Sequence, residues 1–215
     1  VTTLSDSSSH TGLSLREAIA LANASSATDT IVFKAGLSGT IVLEQGHLRL
    51  SSNVIVDGDT NGDGAAEITI SGNAASRIFE VASGASTLHG LKLIDGVSTF
   101  GGAVMVAQGA ALAIDNSIIS GNKTVAGRAE WSRGGGVANF GHLEIENSTV
   151  SNNRAYDHGG GIYNGGTFTA VNSIISDNAS PGFGGGVLSD GGLFTATNVT
   201  VTGNAAPYGG GISTE

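Results

Sequence analysis

The triplet Gly-Gly-Gly followed by Val or Ile begins at Gly134, Gly159, Gly184 and Gly209, a constant step of 25 residues. A fixed period of this size marks a repeat architecture, in which one unit cannot bury its apolar face alone and must stack on its neighbours. The units read GGGVANFGHLEIENSTVSNNRAYDH, GGGIYNGGTFTAVNSIISDNASPGF and GGGVLSDGGLFTATNVTVTGNAAPY, followed by GGGISTE. Inside each, short alternating segments such as Leu143 and Ile145, or Phe168 and Ala170, are split by Gly and Asn, which predicts three short strands per unit and does not fit helical spacing.

One unit is therefore one coil of a right-handed parallel β-helix, an all-β solenoid with equivalent strands stacked in register about 4.8 Å apart. Val137, Ile162 and Val187 form one expected apolar column, and Val150, Ile175 and Val201 another. Two asparagine columns mark the bends: Asn116, Asn147, Asn172 and Asn198, then Asn122, Asn153, Asn178 and Asn204. Asparagine tolerates the left-handed conformation of a tight bend, and its amide can bond to the amide one coil away. In the third unit Asn198 and Asn204 come one place late, and the turn after them is one residue shorter, so the period survives.

Upstream the pattern loosens. The coil beginning at Gly101 is 33 residues long, with the excess expected in KTVAGRAEWSR; before it, irregular first coils span residues 34–100. Residues 1–33 form an N-terminal cap, and residues 101–215 the regular coils. In the cap, Ser14 and Glu17 have capping-box spacing, and Leu15, Ala18, Ile19 and Ala22 share one helical face, which predicts a short helix over the first coil. GGGISTE stops where a coil begins. Either a continuing chain or another molecule, as in a head-to-tail filament, is expected to cover that edge.

With 35 glycines but a hydrophobic fraction of 40%, the glycines belong to a packed array and not to a disordered linker. A net charge of −9 opposes phosphate backbones, so nucleic acid is not an expected partner. No apolar run is long enough to insert this segment into a bilayer. Cysteine is absent, which removes disulfides and thiolate metal sites.

Three clusters carry candidate chemistry. In DGDTNGDGAAE, Asp57, Asp59, Asn61, Asp63 and Glu67 concentrate oxygen ligands around two glycines, a pattern suited to Ca²⁺; the alternative is a solvated acidic turn, since the twelfth position counted from Asp59 is Ile70 and not an acid. Around the insertion, Trp131, Arg133, Tyr156 and His158 would offer aromatic faces and hydrogen bonds to a glycan, or would simply pack on their neighbours. Arg154, Tyr156, Asp157 and His158 contain enough chemistry for proton abstraction beside a sugar carboxylate, although basic residues are sparse for an anionic polymer. Thr-x-Thr pairs such as Thr167 and Thr169, of the kind seen in ice-binding arrays, do not recur in one column, and the sequons at Asn122, Asn147, Asn178 and Asn198 follow from the asparagine columns.

The run TGLSLREAIALANASSATDTIVF resembles the SLREA segment of secreted bacterial β-helix repeat proteins, with Leu13 where many relatives carry Cys or Gly. The GGAV, GGGI and F-x-x-x-N elements resemble polymorphic outer-membrane-type repeats. This resemblance implies a secreted or bacterial cell-surface protein, often the repetitive part of a longer chain, and no single activity. The functional expectation is a non-catalytic structural or adhesive module, in one version self-assembling end to end. The alternative is a protein that binds a polysaccharide, or acts on one as a lyase or epimerase, through the turns near Trp131 and Tyr156.

Overall fold

The computed structural model describes residues 1–127 and 131–215. Its strands form three seven-stranded, all-parallel sheets and one short parallel pair, Val97–Ser98 with Lys123–Thr124, and the chain visits sheet I, sheet II and sheet III in turn seven times. Sheet I stacks Asp29–Val32, Val54–Asp57, Ala85–His89, Ala111–Asp115, His142–Glu146, Thr167–Val171 and Leu193–Thr197. Sheet II stacks Gly39–Val42, Ile68–Ser71, Leu91–Ile94, Ile118–Ser120, Thr149–Ser151, Ile174–Ser176 and Thr200–Thr202. Sheet III runs from Leu48–Leu50 through Phe79–Val81, Val104–Val106, Val137–Asn139, Ile162–Asn164 and Val187–Ser189 to Ile212–Thr214. The chain is thus a parallel β-solenoid of seven coils.

Both expected apolar columns lie in register, Val137 against Ile162 and Val187 in sheet III, and Val150 against Ile175 and Val201 in sheet II. All but Val201, in the last coil, are fully buried. The two asparagine columns divide the labour assigned to both. Asn116, Asn147, Asn172 and Asn198 hold the left-handed conformation, with φ between 47° and 54°. The other column instead forms a buried ladder: Asn122, Asn153 and Asn178 each donate both backbone N–H and side-chain Nδ2 to the Oδ1 of the asparagine one coil on, at 2.9–3.0 Å. Each Nδ2 also donates to a carbonyl of the preceding coil, such as Ile119 for Asn153. The left-handed residue at this second bend is the one before the ladder: Gly121, Asn152, Asp177 and Gly203.

The glycine runs follow from the same stacking. Gly159 needs its left-handed φ of 66°. At Gly160 any Cβ would collide with the carbonyl oxygen of Gly185 and the backbone of Ala179 one coil away. Backbones that close admit no side chain, which is why the triplet recurs at the coil period. The long coil differs from expectation in one respect: its register shows that two of its extra residues sit in the turn around Ala107–Ala110, and only the remainder between Lys123 and Arg133. Part of the KTVAGRAEWSR insertion, residues 128–130, lies outside the described residues.

Helix α1, Leu15–Asn23, packs over the first coil with Leu15, Ala18, Ile19 and Ala22 buried. Ser14 and Glu17 form the expected capping box. The sheet edge beneath is satisfied by side chains: Asn23 Nδ2 donates to the Arg49 carbonyl at 2.8 Å, and Asn23 Oδ1 accepts from Ser51 N–H at 2.9 Å. Asp6 accepts from the N–H groups of Glu44 and Gln45 while paired through both carboxylate oxygens with Arg16, at 2.7 and 2.9 Å. Burial works to raise the Asp6 pKa, but the Arg16 hydrogen bond, the two backbone donors and the Arg16 charge outweigh it and hold the carboxyl below its usual value. At the other end the strands Leu193–Thr197, Thr200–Thr202 and Ile212–Thr214 are largely exposed, and Phe194 and Val201 are only half-buried.

Candidate functional site

The acidic loop follows the second strand of sheet I. Asp57 closes that strand, and its Oδ1 accepts from Asp59 N–H at 3.1 Å. Asp59 then gathers the loop: Oδ1 accepts from Asn61 and Gly62, and Oδ2 from Gly64 at 2.9 Å. These amides, Gly64 foremost, hold the Asp59 pKa below the ordinary carboxylate value against a desolvation effect of opposite sign. Carboxylate oxygens of Asp59, Asp63 and Glu67 lie within 4.8 Å of one another. Glu67 also accepts from Thr60 N–H at 2.9 Å, which pins the far end of the loop. Asn61 turns its amide nitrogen toward Asp63 at 3.0 Å, so its oxygen faces the Asp63 backbone N–H and away from the acid trio. Of the five predicted ligands, the fold brings three together, leaves Asn61 beside them, and uses Asp57 to start the turn.

The second cluster lies along the turns that lead into sheet III. Trp131, His158, Phe183 and Tyr208 stack one upon the next with ring centroids 5.7, 5.4 and 4.8 Å apart. The ring planes are close to parallel at the Trp131–His158 and Phe183–Tyr208 steps, 27° and 22°, and tilted by 46° between His158 and Phe183, so most of the ring faces are spent on one another. Arg133 is sandwiched between Trp131 and Tyr163, 5.1 and 4.7 Å from the ring centroids, and donates to Tyr163 Oη at 2.6 Å and to Asp190 at 2.7 Å. Burial and Asp190 push the Tyr163 hydroxyl pKa up, with Arg133 opposing. Tyr163, Ala138 and Leu188 point outward from sheet III, yet they are buried, Tyr163 beneath the Arg133 guanidinium and against the Phe140 ring.

Arg154, Tyr156, Asp157 and His158 do not converge. Asp157 Oδ2 accepts from Ser132 N–H, and His158 Nδ1 accepts from Phe183 N–H at 3.0 Å, which places the ring proton on Nε2. Arg154 continues the ladder between Lys123 and Ala179 through its backbone. Tyr156 is 54% exposed, and Trp131 50%. The sequons at Asn122 and Asn178 lie inside the buried ladder.

Two further polar ladders escaped the sequence reading. Asn139 Nδ2 donates to Asn164 Oδ1 at 2.8 Å, and Asn164 Nδ2 to Ser189 Oγ at 3.0 Å. Ser117 N–H donates to Ser148 Oγ, and Ser148 N–H to Ser173 Oγ. The signal was present, since Asn139, Asn164 and Ser189 share the 25-residue step and each precedes a glycine by two or three residues.

A fold of seven parallel coils with polar ladders at its corners defines the class: a parallel β-helix repeat protein. The repeat model of the Chlamydia polymorphic membrane proteins matches residues 147–165, from the left-handed Asn147 through the second GGGI turn, so the resemblance to polymorphic outer-membrane-type repeats holds at that segment. The match does not reach helix α1. No curated protein and no solved structure matches the chain.

Proposed function

We propose that the chain is a non-catalytic, surface-exposed structural or adhesive module. The observation that carries this reading is the use made of the reactive groups: Arg133 through Nη1, Asp157 and His158 bond to neighbouring coils and turns, and no side-chain hydrogen bond joins Arg154, Tyr156, Asp157 and His158 to one another. Repetition is the dominant feature of the molecule, and a rod of stacked coils is what repetition builds. The polymorphic-membrane-type repeat supports a place at the bacterial surface. Among the described residues no helix is long and apolar enough to cross a membrane. Protease shaving of intact cells that make the protein should release peptides from residues 101–215; protection of those peptides until the cells are lysed would overturn the reading.

A glycan-binding role has one observation in its favour, the half-exposed rings of Trp131 and Tyr156. Trp131→Ala with Tyr156→Ala should then weaken binding on a glycan array, and an unchanged profile would remove this alternative. For the acidic loop we propose Ca²⁺ as ligand of Asp59, Asp63 and Glu67, supported by their spacing and by the backbone amides that keep Asp59 ionised. Calorimetric titration with Ca²⁺ should give heat that disappears in Asp63→Asn; no heat and an unmoved melting temperature would dispose of it. End-to-end assembly would have to place the half-open last coil against a second molecule, and sedimentation of a Leu193→Glu variant tests that contact.

A further inference from the structure

The three outer faces of the coil differ in charge. Sheet I presents Asp57, Asp115, Glu144 and Glu146, and sheet III carries the Arg49–Glu80 pair on its first two strands and is covered at Ala138, Tyr163 and Leu188. Sheet II is open and carries one charged residue, Lys92, along its whole outer face. One of its outward rows runs Ile118, Thr149, Ile174, Thr200, and the row beside it is Ser or Thr throughout from Ser120 to Thr202. Ile118 and Ile174 are 37% and 44% exposed.

We propose that this face is where two copies of the chain pack laterally, sheet against sheet, related by a two-fold axis. A chain of net charge −9 repels its own copies, and this face is where they can approach without opposing like charges. A two-fold interface must be complementary to itself, which carboxylates are not. Hydroxyl groups both donate and accept, so about an axis through Ile118 Thr200 can lie against Thr40 of the copy and Ser120 against its own counterpart, while Ile118 meets Ile118 and Ile174 packs on Thr69. With the axis at Ile118, the midpoint of the seven strands, the coil bearing Lys92 faces the coil bearing Thr149, and the two lysines never meet. Sheets pack in this way about 10 Å apart through short and β-branched side chains.

The area sets the strength. Seven strands at about 4.8 Å, each about 10 Å wide, cover roughly 350 Å² per copy, and the flanking bends add to it. Stable protein pairs bury about 1,200–2,000 Å² in total, so the association is weak, with a dissociation constant on the order of 10 µM to 1 mM. A rod with more such coils would gain in proportion to its length.

Sedimentation equilibrium of the chain up to about 1 mM is the test, at two salt concentrations and beside two variants. The wild type should dimerise reversibly, and added salt should leave the affinity unchanged or raise it, because salt screens only the repulsion. Ile174→Glu should reduce the affinity at least tenfold, and Thr169→Glu on sheet I should not. Thr149→Lys serves as a second face variant should Ile174→Glu melt early. A wild type that stays monomeric overturns the proposal. So does a dimer indifferent to both face variants, or one removed by Leu193→Glu instead. A monomer that depresses freezing, or that binds an uncharged polysaccharide through this face, would assign sheet II to that ligand and equally overturn it.

Discussion

The coils before Gly101 and those after it share one geometry but secure it differently. The early coils rely on large buried side chains such as Leu48, Leu50, Ile78 and Phe79, on the Asp6–Arg16 clasp, and on the Arg49–Glu80 ion pair. The later coils add buried amide and hydroxyl ladders and glycine triplets, each rung bonded to the next. An irregular coil needs bespoke contacts, whereas a regular one can reuse a single polar device at every level. The cost of that reuse is that one faulty rung disturbs two neighbours.

That contrast predicts the largest effects within the regular coils. Gly160→Ala forces a Cβ into the backbone of the next coil and should cost about 3 kcal/mol or more, seen as a large fall in the denaturant midpoint. Asn153→Ala strands the Asn122 N–H and the Ile119 carbonyl in the interior and should cost about 3 kcal/mol. In the early part, Asp6→Asn breaks a partly buried pair and leaves Arg16 short of its partner, for an expected loss of about 3 kcal/mol. Equal effects of Asn153→Ala and the surface change Asn147→Ala would erase the distinction between the two asparagine columns.

Acid sharpens the comparison further. The Asp6 pKa is lower in the folded chain than in the unfolded one, so its contribution is complete above the unfolded carboxylate value of about 3.9 and is lost as pH falls through the folded value. Acid unfolding should therefore loosen the capped end, and Asp6→Asn should flatten that pH dependence. The smallest change belongs to the exposed bends. Asn147→Ala, at φ 49°, should cost about 1 kcal/mol, and Asn147→Gly almost nothing.

The coil was readable because its constraints are local and periodic: a backbone too close for a Cβ at Gly160, a left-handed bend at Asn147, an inward apolar residue at Ile175. Contacts that join distant or non-periodic residues were not. Nothing in the sequence pairs Asp6 with Arg16, or Arg133 with Asp190, because those partners meet only once the coils stack. The aromatic residues illustrate the limit. His158, Phe183 and Tyr208 share the 25-residue step, but only the structure shows that Trp131, two places before Arg133 in the sequence, joins them in one stack, a fact that changes what the column can offer a ligand. The acidic loop was legible because Asp57, Asp59, Asn61, Asp63 and Glu67 are close in sequence, but only the folded loop separates the trio Asp59, Asp63 and Glu67 from the other two.

The molecule is a one-dimensional stack, closed by helix α1, tied by its ladders, and least covered at its last coil. Native-state hydrogen exchange of the ladder amides tests it most directly. The N–H groups of Asn122 and Asn153 should be protected to nearly the same degree, the N–H of Asn178 less, and the strand amides of Thr200–Thr202 least. Protection that is uniform from Asn122 to Thr202, or highest at the last coil, would mean that the stack is not secured in this graded way.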